Sequence, residues 1–213
     1  MSADVWSGRA RAYRESEAHR QGRDLDLFVE WAAGKTVLDV ATGGGHVAER
    51  LRQAGSEVVT CDSAPGMQPD VICRAEDLPF ADGSFDVVTC RVAAHHFEDP
   101  RAALRELARV SRELVLVADN LYAGEAGEEA DLVRDPTHIR NYSADEWREL
   151  FEAAGLDVEQ FEREEKWIEL EPWLERAGCT GEEAERVREL LAGRIADGRL
   201  RLDRGIFKAR KAA

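Results

Sequence analysis

The sequence predicts one doubly wound α/β domain built on a mostly parallel sheet. Three observations carry this. Short β-branched runs alternate with segments of helical apolar spacing along most of the 213 residues. The first run, Thr36-Val37-Leu38-Asp39-Val40, passes straight into a glycine-rich turn. A later run, Leu114-Val115-Leu116-Val117-Ala118, is apolar throughout, as a strand covered on both faces must be. The length suits one core and is short for two. We therefore expect a single domain over 1–213: a helical cover over 1–34, a half over 35–120 that carries the glycine turn, and a remainder over 121–213 that holds the last strands.

The elements follow in order. Residues 9–20 read as a polar helix that covers something. Asp24 opens a second helical stretch, with Leu25, Leu27, Phe28 and Trp31 before a stop at Gly34. After the first strand, residues 46–54 place Val47, Leu51 and Ala54 on one helical face. Residues 56–61 form the second strand, which completes a βαβ unit. The third, 71–73, follows Asp62 by only nine residues, and an extended chain of that length reaches roughly 30 Å, enough to cross back without a helix. Pro65, Gly66 and Pro69 also disfavour one, so a bare loop is expected there. The fourth strand is 85–90. Asp99 then caps a helix with Pro100 at its first position and Leu104, Leu107 and Val110 inward. The acidic stretch 124–131 reads as a mobile loop or lid. Ser143 and Glu146 make a capping box for a helix ending at Gly155. Residues 156–161 and 166–170 look extended. Thr180 and Glu183 form a second capping box for a helix carrying Val187, Leu190, Leu191 and Ile195, and 205–209 is the closing strand.

Composition narrows the function classes. The chain is 44% apolar and 34% charged, an ordinary globular balance. Its formal net charge of −14 repels a nucleic-acid partner on average. No run has the length of a membrane span, and the polar start lacks a signal-peptide core, so a cytoplasmic protein is expected. Cys61, Cys73, Cys90 and Cys179 show no zinc-ligand spacing and read as buried free thiols; no metal is expected.

Chemistry concentrates at the carboxyl ends of the predicted strands, where ligands of such sheets bind. Gly43-x-Gly45-x-x-Ala48 satisfies the dinucleotide pattern, with Asp62 where a ribose-binding acid belongs. Asp39 discriminates. A carboxylate at the end of the first strand repels a pyrophosphate but suits an ammonium and a sulfonium, while the helix start beyond Gly45 favours a carboxylate. A zwitterionic, ribose-bearing molecule such as S-adenosylmethionine has all these groups.

Four segments then resemble the class I S-adenosylmethionine-dependent methyltransferases, in particular the small-molecule group related to the ubiquinone and menaquinone C-methyltransferases. They are Val37-Leu38-Asp39-Val40-Ala41-Thr42-Gly43-Gly44-Gly45, Val58-Val59-Thr60-Cys61-Asp62, Ala75-Glu76-Asp77-Leu78-Pro79-Phe80 with Asp82-Gly83-Ser84-Phe85-Asp86, and Arg91-Val92-Ala93-Ala94-His95-His96-Phe97. Weaker likeness runs through Asp135-Pro136-Thr137-His138 to Gly155 and touches Tyr13 and His19. The resemblance implies a Rossmann-like sheet of seven strands in the order 3-2-1-4-5-7-6, the last antiparallel, with an N-terminal helical cover and a helical insertion before the last strand. It places Asp39 near the methionine ammonium and main chain at Ala41, Thr42, Gly43 and Gly45 along the methionine. Asp62, followed by Ser63, meets the ribose hydroxyls, and Met67 packs on the adenine. Ala75, Glu76 and Asp77 sit at the adenine edge, main chain at Arg91 holds the ammonium end, and Tyr13 and His19 close the site from above. Three departures stand out. Ala41 replaces a motif glycine, which a negative φ would tolerate. Arg74 replaces an acid that reads adenine, leaving that to Glu76, Asp77 or main chain. The Asp62–Val71 connection lacks the usual helix, which predicts a more open adenine end.

In-line methyl transfer needs alignment and a dry pocket. His95 and His96 are the candidates for base or acceptor orientation, because imidazole titrates in the right range. Expected, then, is methylation of a small-molecule acceptor with no nucleic-acid or membrane partner. The rivals are a non-enzymatic S-adenosylmethionine binder and a nicotinamide-dependent reductase, the latter disfavoured by Asp39 and by the lack of a Tyr-x-x-x-Lys pattern. The trio Trp147, Trp167 and Trp173 reads as core or lid packing, with an aromatic acceptor pocket as the sharper alternative.

Overall fold

The computed structural model describes residues 2–212; Met1 and Ala213, the ends of the expected domain, lie outside them. Three helices come first: α1 (Ser2–Arg14), α2 (Glu17–Arg20) and α3 (Arg23–Ala32). The alternating half follows as β1 (Thr36–Val40), α4 (His46–Gln53), β2 (Glu57–Asp62), β3 (Val71–Ile72), β4 (Phe85–Arg91), α5 (Pro100–Val110) and β5 (Ser111–Asn120). The chain continues with α6 (Glu125–Arg134), α7 (Ala144–Ala153), β6 (Leu156–Glu169), α8 (Leu170–Ala177), α9 (Gly181–Leu190), β7 (Ile195–Ala196) and β8 (Arg199–Lys211).

The sheet order is β3-β2-β1-β4-β5-β8-β6. Counting β8 as the seventh long strand, this is the expected order, with β8 antiparallel to both neighbours. An eighth strand, the two-residue β7, turns back on β8 and was not expected. Strand alternation sends successive residues to opposite faces. Leu114, Leu116 and Ala118 of β5 pack under α3 and α4 with Val37 and Ile206. Val115 and Val117 face α5 and α7 with Leu38, Val40 and Phe207. Both faces are covered, which is why the Leu114–Ala118 run of β5 is apolar throughout. Among the described residues no helix is long and apolar enough to cross a membrane.

The caps explain where the helices begin. Asp99 accepts from the Ala102 amide at 2.9 Å, with Pro100 at the first position of α5. Ser143 and Glu146 make both bonds of a capping box at α7. Thr180 makes no such bond, so the second expected box is absent. Its helix also stops at Leu190, and Ile195 lies in β7 instead.

The expected lid over 124–131 is a helix, α6. Ala130 is fully buried against Trp173, Leu174, Ala184 and Val187, a small separate core that polar spacing conceals. The two extended segments around 156–170 are one long strand, β6, and Leu170 already belongs to α8. Trp147 is fully buried in the main core and Trp173 in the smaller one, whereas Trp167 is exposed. The Asp62–Val71 connection holds no α-helix, only one 3-10 turn at Pro65–Met67. It is not left open: α1 lies on it, with Trp6 and Ala10 against Ala64 and Met67. Gly66 is what lets the two backbones meet, since a Cβ there would stand 2.6 Å from Ser7 Cα.

Candidate active site

Sheet register sets the site. Val40 of β1 pairs with Cys61 on one side and Cys90 on the other, so Ala41, Asp62 and Arg91 all fall one step past the same row. A cavity of about 350 Å³ opens beyond that row. Its floor is Asp39, Ala41–Gly44, Asp62, Ser63 and Arg91, with Met67, Ala75 and Glu76 at one end. Trp6, Tyr13 and His19 roof it, and His96 closes the other wall.

Asp39 is 1% exposed. It accepts hydrogen bonds from Thr42 Oγ1 at 2.6 Å and Thr89 Oγ1 at 2.8 Å, and among the described residues no cation pairs with it. Burial pushes its pKa up to about 6 despite those two hydroxyls. Arg91, the guanidinium whose charge acts on Asp39, is committed elsewhere: it bonds Asp24 at 2.7 and 3.2 Å and the His19 carbonyl at 2.9 Å. The site therefore holds a buried carboxylate whose hydrogen-bond partners are two neutral hydroxyls. Asp62 accepts from the Gly43 and Ala64 amides at 3.0 and 2.9 Å, and burial raises its pKa as well.

The turn between β1 and α4 departs from expectation at Ala41, whose φ is +53° rather than negative. Val92, at the matching end of β4, also has φ +53°. Left-handed backbone costs an L-residue roughly 1–2 kcal/mol. Both strained residues border the cavity, where such strain collects. Gly44 is needed for a different reason: a Cβ there would stand 2.9 Å from the Tyr13 carbonyl and 2.8 Å from His46 Nε2.

The two candidate histidines separate. His95 donates from Nδ1 to Asp119 at 2.6 Å and turns away from the cavity. Burial pulls its pKa down, but the Asp119 carboxylate outweighs that and holds it above the ordinary value. His96 remains on the cavity wall. Its Nδ1–H donates to the Thr137 carbonyl at 2.9 Å, which leaves the Nε2 lone pair free. Burial and then the charge on His95, whose ring lies 4.1 Å away, drive its pKa well below the ordinary value. His96 is thus held toward the neutral imidazole form, beside a ring that Asp119 holds toward the protonated one.

Of the other expected residues, Asp39, Ala41, Thr42, Gly43, Asp62, Ser63, Met67, Ala75, Glu76, Arg91, Tyr13 and His19 all line the cavity. Gly45 and Asp77 do not. The Gly45 amide turns back to the Thr42 carbonyl at 2.9 Å, since Gly45 is the N-cap of α4. Asp77 is exposed, and its amide bonds Arg74 in a tight turn. Sequence reasoning missed Trp6, His46, Arg74 and Glu98 as wall residues. A signal existed for Trp6, which stands seven residues before Tyr13 and so shares a helix face with it; the rings meet at 5.3 Å. None existed for Glu98, which reaches the cavity edge by pairing with Arg74 at 2.8 Å. Among the described residues no cluster of His, Cys, Asp and Glu is arranged to hold a metal ion.

A mostly parallel sheet thus brings acids at two strand ends and a glycine turn to one roofed cavity. The family model described as a methyltransferase domain matches residues 38–116, from within β1 to within β5. The Bacillus subtilis protein YcgJ, an uncharacterized methyltransferase, is 32% identical over 208 residues, covering 85% of this chain and 82% of its own. The chain belongs to this methyltransferase family, and it is an enzyme of methyl transfer. The YcgJ crystal structure superposes with a TM-score of 0.80 at 26% identity, over 89% of this chain and 98% of that one. A demethylmenaquinone methyltransferase of Corynebacterium urealyticum is 37% identical over 113 residues, 49% of this chain and 46% of its own length.

Proposed function

We propose that the cavity binds S-adenosylmethionine and that the enzyme transfers its methyl group to a small-molecule acceptor. The single observation that carries this is Asp39: a buried, unpaired carboxylate at the end of β1, facing a cavity it does not fill. An ammonium group suits that position, and a pyrophosphate does not. The rest of the wall fits the same molecule. Asp62 keeps acceptor capacity beyond its two amide bonds for ribose hydroxyls, Met67 offers an apolar face for adenine, and Arg74 with Glu76 and Glu98 gives its rim polar groups. The same fold holds sinefungin in a geranyl diphosphate methyltransferase and S-adenosylhomocysteine in a Haemonchus contortus phosphoethanolamine methyltransferase, with TM-scores of 0.64 and 0.61.

When bound, S-adenosylmethionine supplies an electrophilic methyl group on sulfur. This chain's residues align and shield. Trp6, Tyr13 and His19 exclude water from above, and His96 presents Nε2 to accept a proton from an acceptor that carries one. The Thr137 carbonyl orients His96, and the charge that Asp119 favours on His95 helps hold it neutral. The roof and the cavity size favour a small acceptor, and the net charge of −14 disfavours a nucleic acid. A membrane surface is likewise not the expected partner, and we read the protein as cytoplasmic. The similarity to a demethylmenaquinone methyltransferase covers about half of each chain, 49% of this one and 46% of that one, so no quinol is inferred from it.

Isothermal titration with S-adenosylmethionine, S-adenosylhomocysteine and NADH tests the reading. Binding of the first two and not the third is expected. NADH binding alone would sink it, and tight S-adenosylmethionine binding without turnover across phenols, quinols, amines and thiols would favour a non-catalytic binder.

A further inference from the structure

Arg74 stands where the resemblance to the methyltransferases puts an acid that reads adenine, and its surroundings give it a different part. Asp62 pairs with Ile72, and the Cys73 amide donates to the Asp62 carbonyl at 3.1 Å, so strand pairing runs up to the residue before Arg74. The chain then makes a tight turn, in which the Asp77 amide donates to the Arg74 carbonyl at 3.2 Å. That turn is anchored from within. Ala75 and Leu78 are buried in the main core, the Leu78 amide donates to Glu106 at 2.9 Å, and the Leu78 carbonyl accepts from Arg109 at 2.9 Å. Arg74 and Glu76, on either side of Ala75, both line the cavity.

Arg74 donates from Nη2 to Glu98 at 2.8 Å and to Glu76 at 3.4 Å. Glu98 belongs to the segment after β4, so the contact spans the rim between two strand ends. Arg74 and Glu98 are 52% and 71% exposed, and an ion pair so open contributes little to stability. What it provides is a position for the guanidinium. Both printed bonds use one nitrogen: among the described residues, Nε and Nη1 donate to no protein atom. Two carboxylates about one guanidinium also leave the rim with excess negative charge, which suits a neutral ligand group better than an anionic one. Arginine has donors only, and the ring nitrogens N1 and N7 of adenine are acceptors. A ribose seated on Asp62 carries its base at the same strand end as Arg74.

We propose that Arg74 is a specificity-determining residue for the cofactor: its guanidinium, steadied by Glu98 and Glu76, donates to a ring nitrogen of the adenine. The inference rests on the reading of the cavity as an S-adenosylmethionine site and adds to it how the base is recognised. The planar fork fixes the direction of the donated bond, which a flexible ammonium would not. An acid at this position could read only the exocyclic amine of adenine; the arginine reads the ring instead and turns Glu98 from a surface acid into its support.

The test titrates the full chain calorimetrically with S-adenosylhomocysteine and with its 1-deaza and 7-deaza forms, in which C–H replaces N1 or N7. Wild type, Arg74→Met and Arg74→Lys are compared. Methionine keeps an apolar stem, removes the donors and leaves the core untouched. The wild type is expected to prefer the parent compound over one of the two analogues by about tenfold or more, the loss of a charge-assisted hydrogen bond. In Arg74→Met that preference is expected to shrink about tenfold, and affinity for the parent to fall by a like factor, because both changes remove one interaction and do not add. The analogue concerned identifies the nitrogen. Arg74→Lys, with a point charge in place of the fork, is expected to fall between. Each preference is a ratio within one protein sample, so any change of stability in a variant cancels. Equal preferences in the wild type and Arg74→Met for both analogues would overturn the proposal and assign base recognition to main chain. A wild type that binds none of the three compounds counts against the cofactor reading, whereas normal S-adenosylhomocysteine binding with preferences indifferent to Arg74 counts against this inference alone.

Discussion

At the scale of the residue, Asp39 is placed against stability. A carboxyl whose pKa rises on folding opposes the folded state above that pKa, because the protein must hold the charge without water. The penalty is absent below the unfolded value of 3.8, grows as pH rises from there and is fully present above about 6. Asp39→Asn is therefore expected to stabilise the ligand-free protein at pH 7, by about 1–2 kcal/mol in a denaturant melt once imperfect hydrogen bonding is allowed for. The same variant is expected to bind S-adenosylmethionine at least about thirtyfold more weakly. In the wild type, affinity measured between pH 7 and 4 should decline below about 6 as Asp39 takes a proton. A flat pH profile, or a variant that loses stability and keeps affinity, would count against the role. Ala41 makes a second prediction at this scale. Glycine at its φ of +53° relieves left-handed strain while adding freedom to the unfolded chain. Ala41→Gly should raise the unfolding free energy by about 0.5–1 kcal/mol, read from the shift in denaturation midpoint at constant slope.

At the scale of the element, α1 decides how the cavity is closed. Three anchors hold it. The Gly66 amide donates to Ser7 Oγ at 3.0 Å, Arg14 donates to the Gly66 carbonyl at 3.2 Å, and Arg9 pairs with Asp135 at 2.9 Å. The last reaches the histidine wall, since Asp135 also binds Thr137, whose carbonyl holds His96. A helix that would ordinarily pack beside β2 is missing, and α1 occupies the exposed turn instead. Gly66→Ala puts a methyl group within 2.6–2.7 Å of Ser7 backbone and side chain, so α1 must lift. We expect cofactor affinity to fall about tenfold, while the melting temperature changes by only a few degrees because the sheet core is untouched. Hydrogen exchange would localise the change: faster exchange over 3–14 with unchanged protection in β1, β4 and β5. Equal loss of protection throughout would mean that α1 is part of the core rather than a roof.

At the scale of the molecule, one buried ionic cluster ties the two ends of the chain together. Asp24 of α3 receives Arg91 from β4 and Arg204 from β8, each at 2.7 Å, and is fully buried. Burial alone would raise its pKa, but the two guanidiniums prevail and hold it well below the usual carboxylate range. Lys166 of β6 adds bonds to the Ala18 and Gln21 carbonyls at 2.8 and 2.6 Å, fastening α2 and the turn after it to the sheet edge. The folded pKa is depressed, so this stability is present above the unfolded value of 3.8 and is lost as pH falls toward the folded one. Asp119 and Asp135, also depressed below 3.8, act with the same sign. Asp24→Asn leaves two buried guanidiniums without their counter-charge and is expected to cost about 3 kcal/mol at pH 7, measured by urea unfolding. The difference from wild type should shrink as the pH is lowered toward 3, where Asp24 loses its own advantage. A cost that stayed constant with pH would assign the effect to packing instead.

The sequence by itself determined the sheet and the half of the site that belongs to it. Alternation, capping residues and the positions of Asp39, Asp62 and the glycine turn are local signals, set by neighbours within a few residues, and the strand order followed from the family pattern they carry. The backbone sign at Ala41 was misjudged because φ there is imposed by the turn as a whole and not by the alanine. What only the tertiary structure decided lies in long-range contacts: α1 in the place of a missing helix, α6 as a helix where acidic spacing pointed to a lid, His95 turned to Asp119 while His96 keeps the wall, and Arg91 drawn away to Asp24. Each depends on partners between 24 and 126 residues away or on a core built from separate segments. Side chains of one type at adjacent positions, as at His95 and His96, are indistinguishable until packing assigns each its partner.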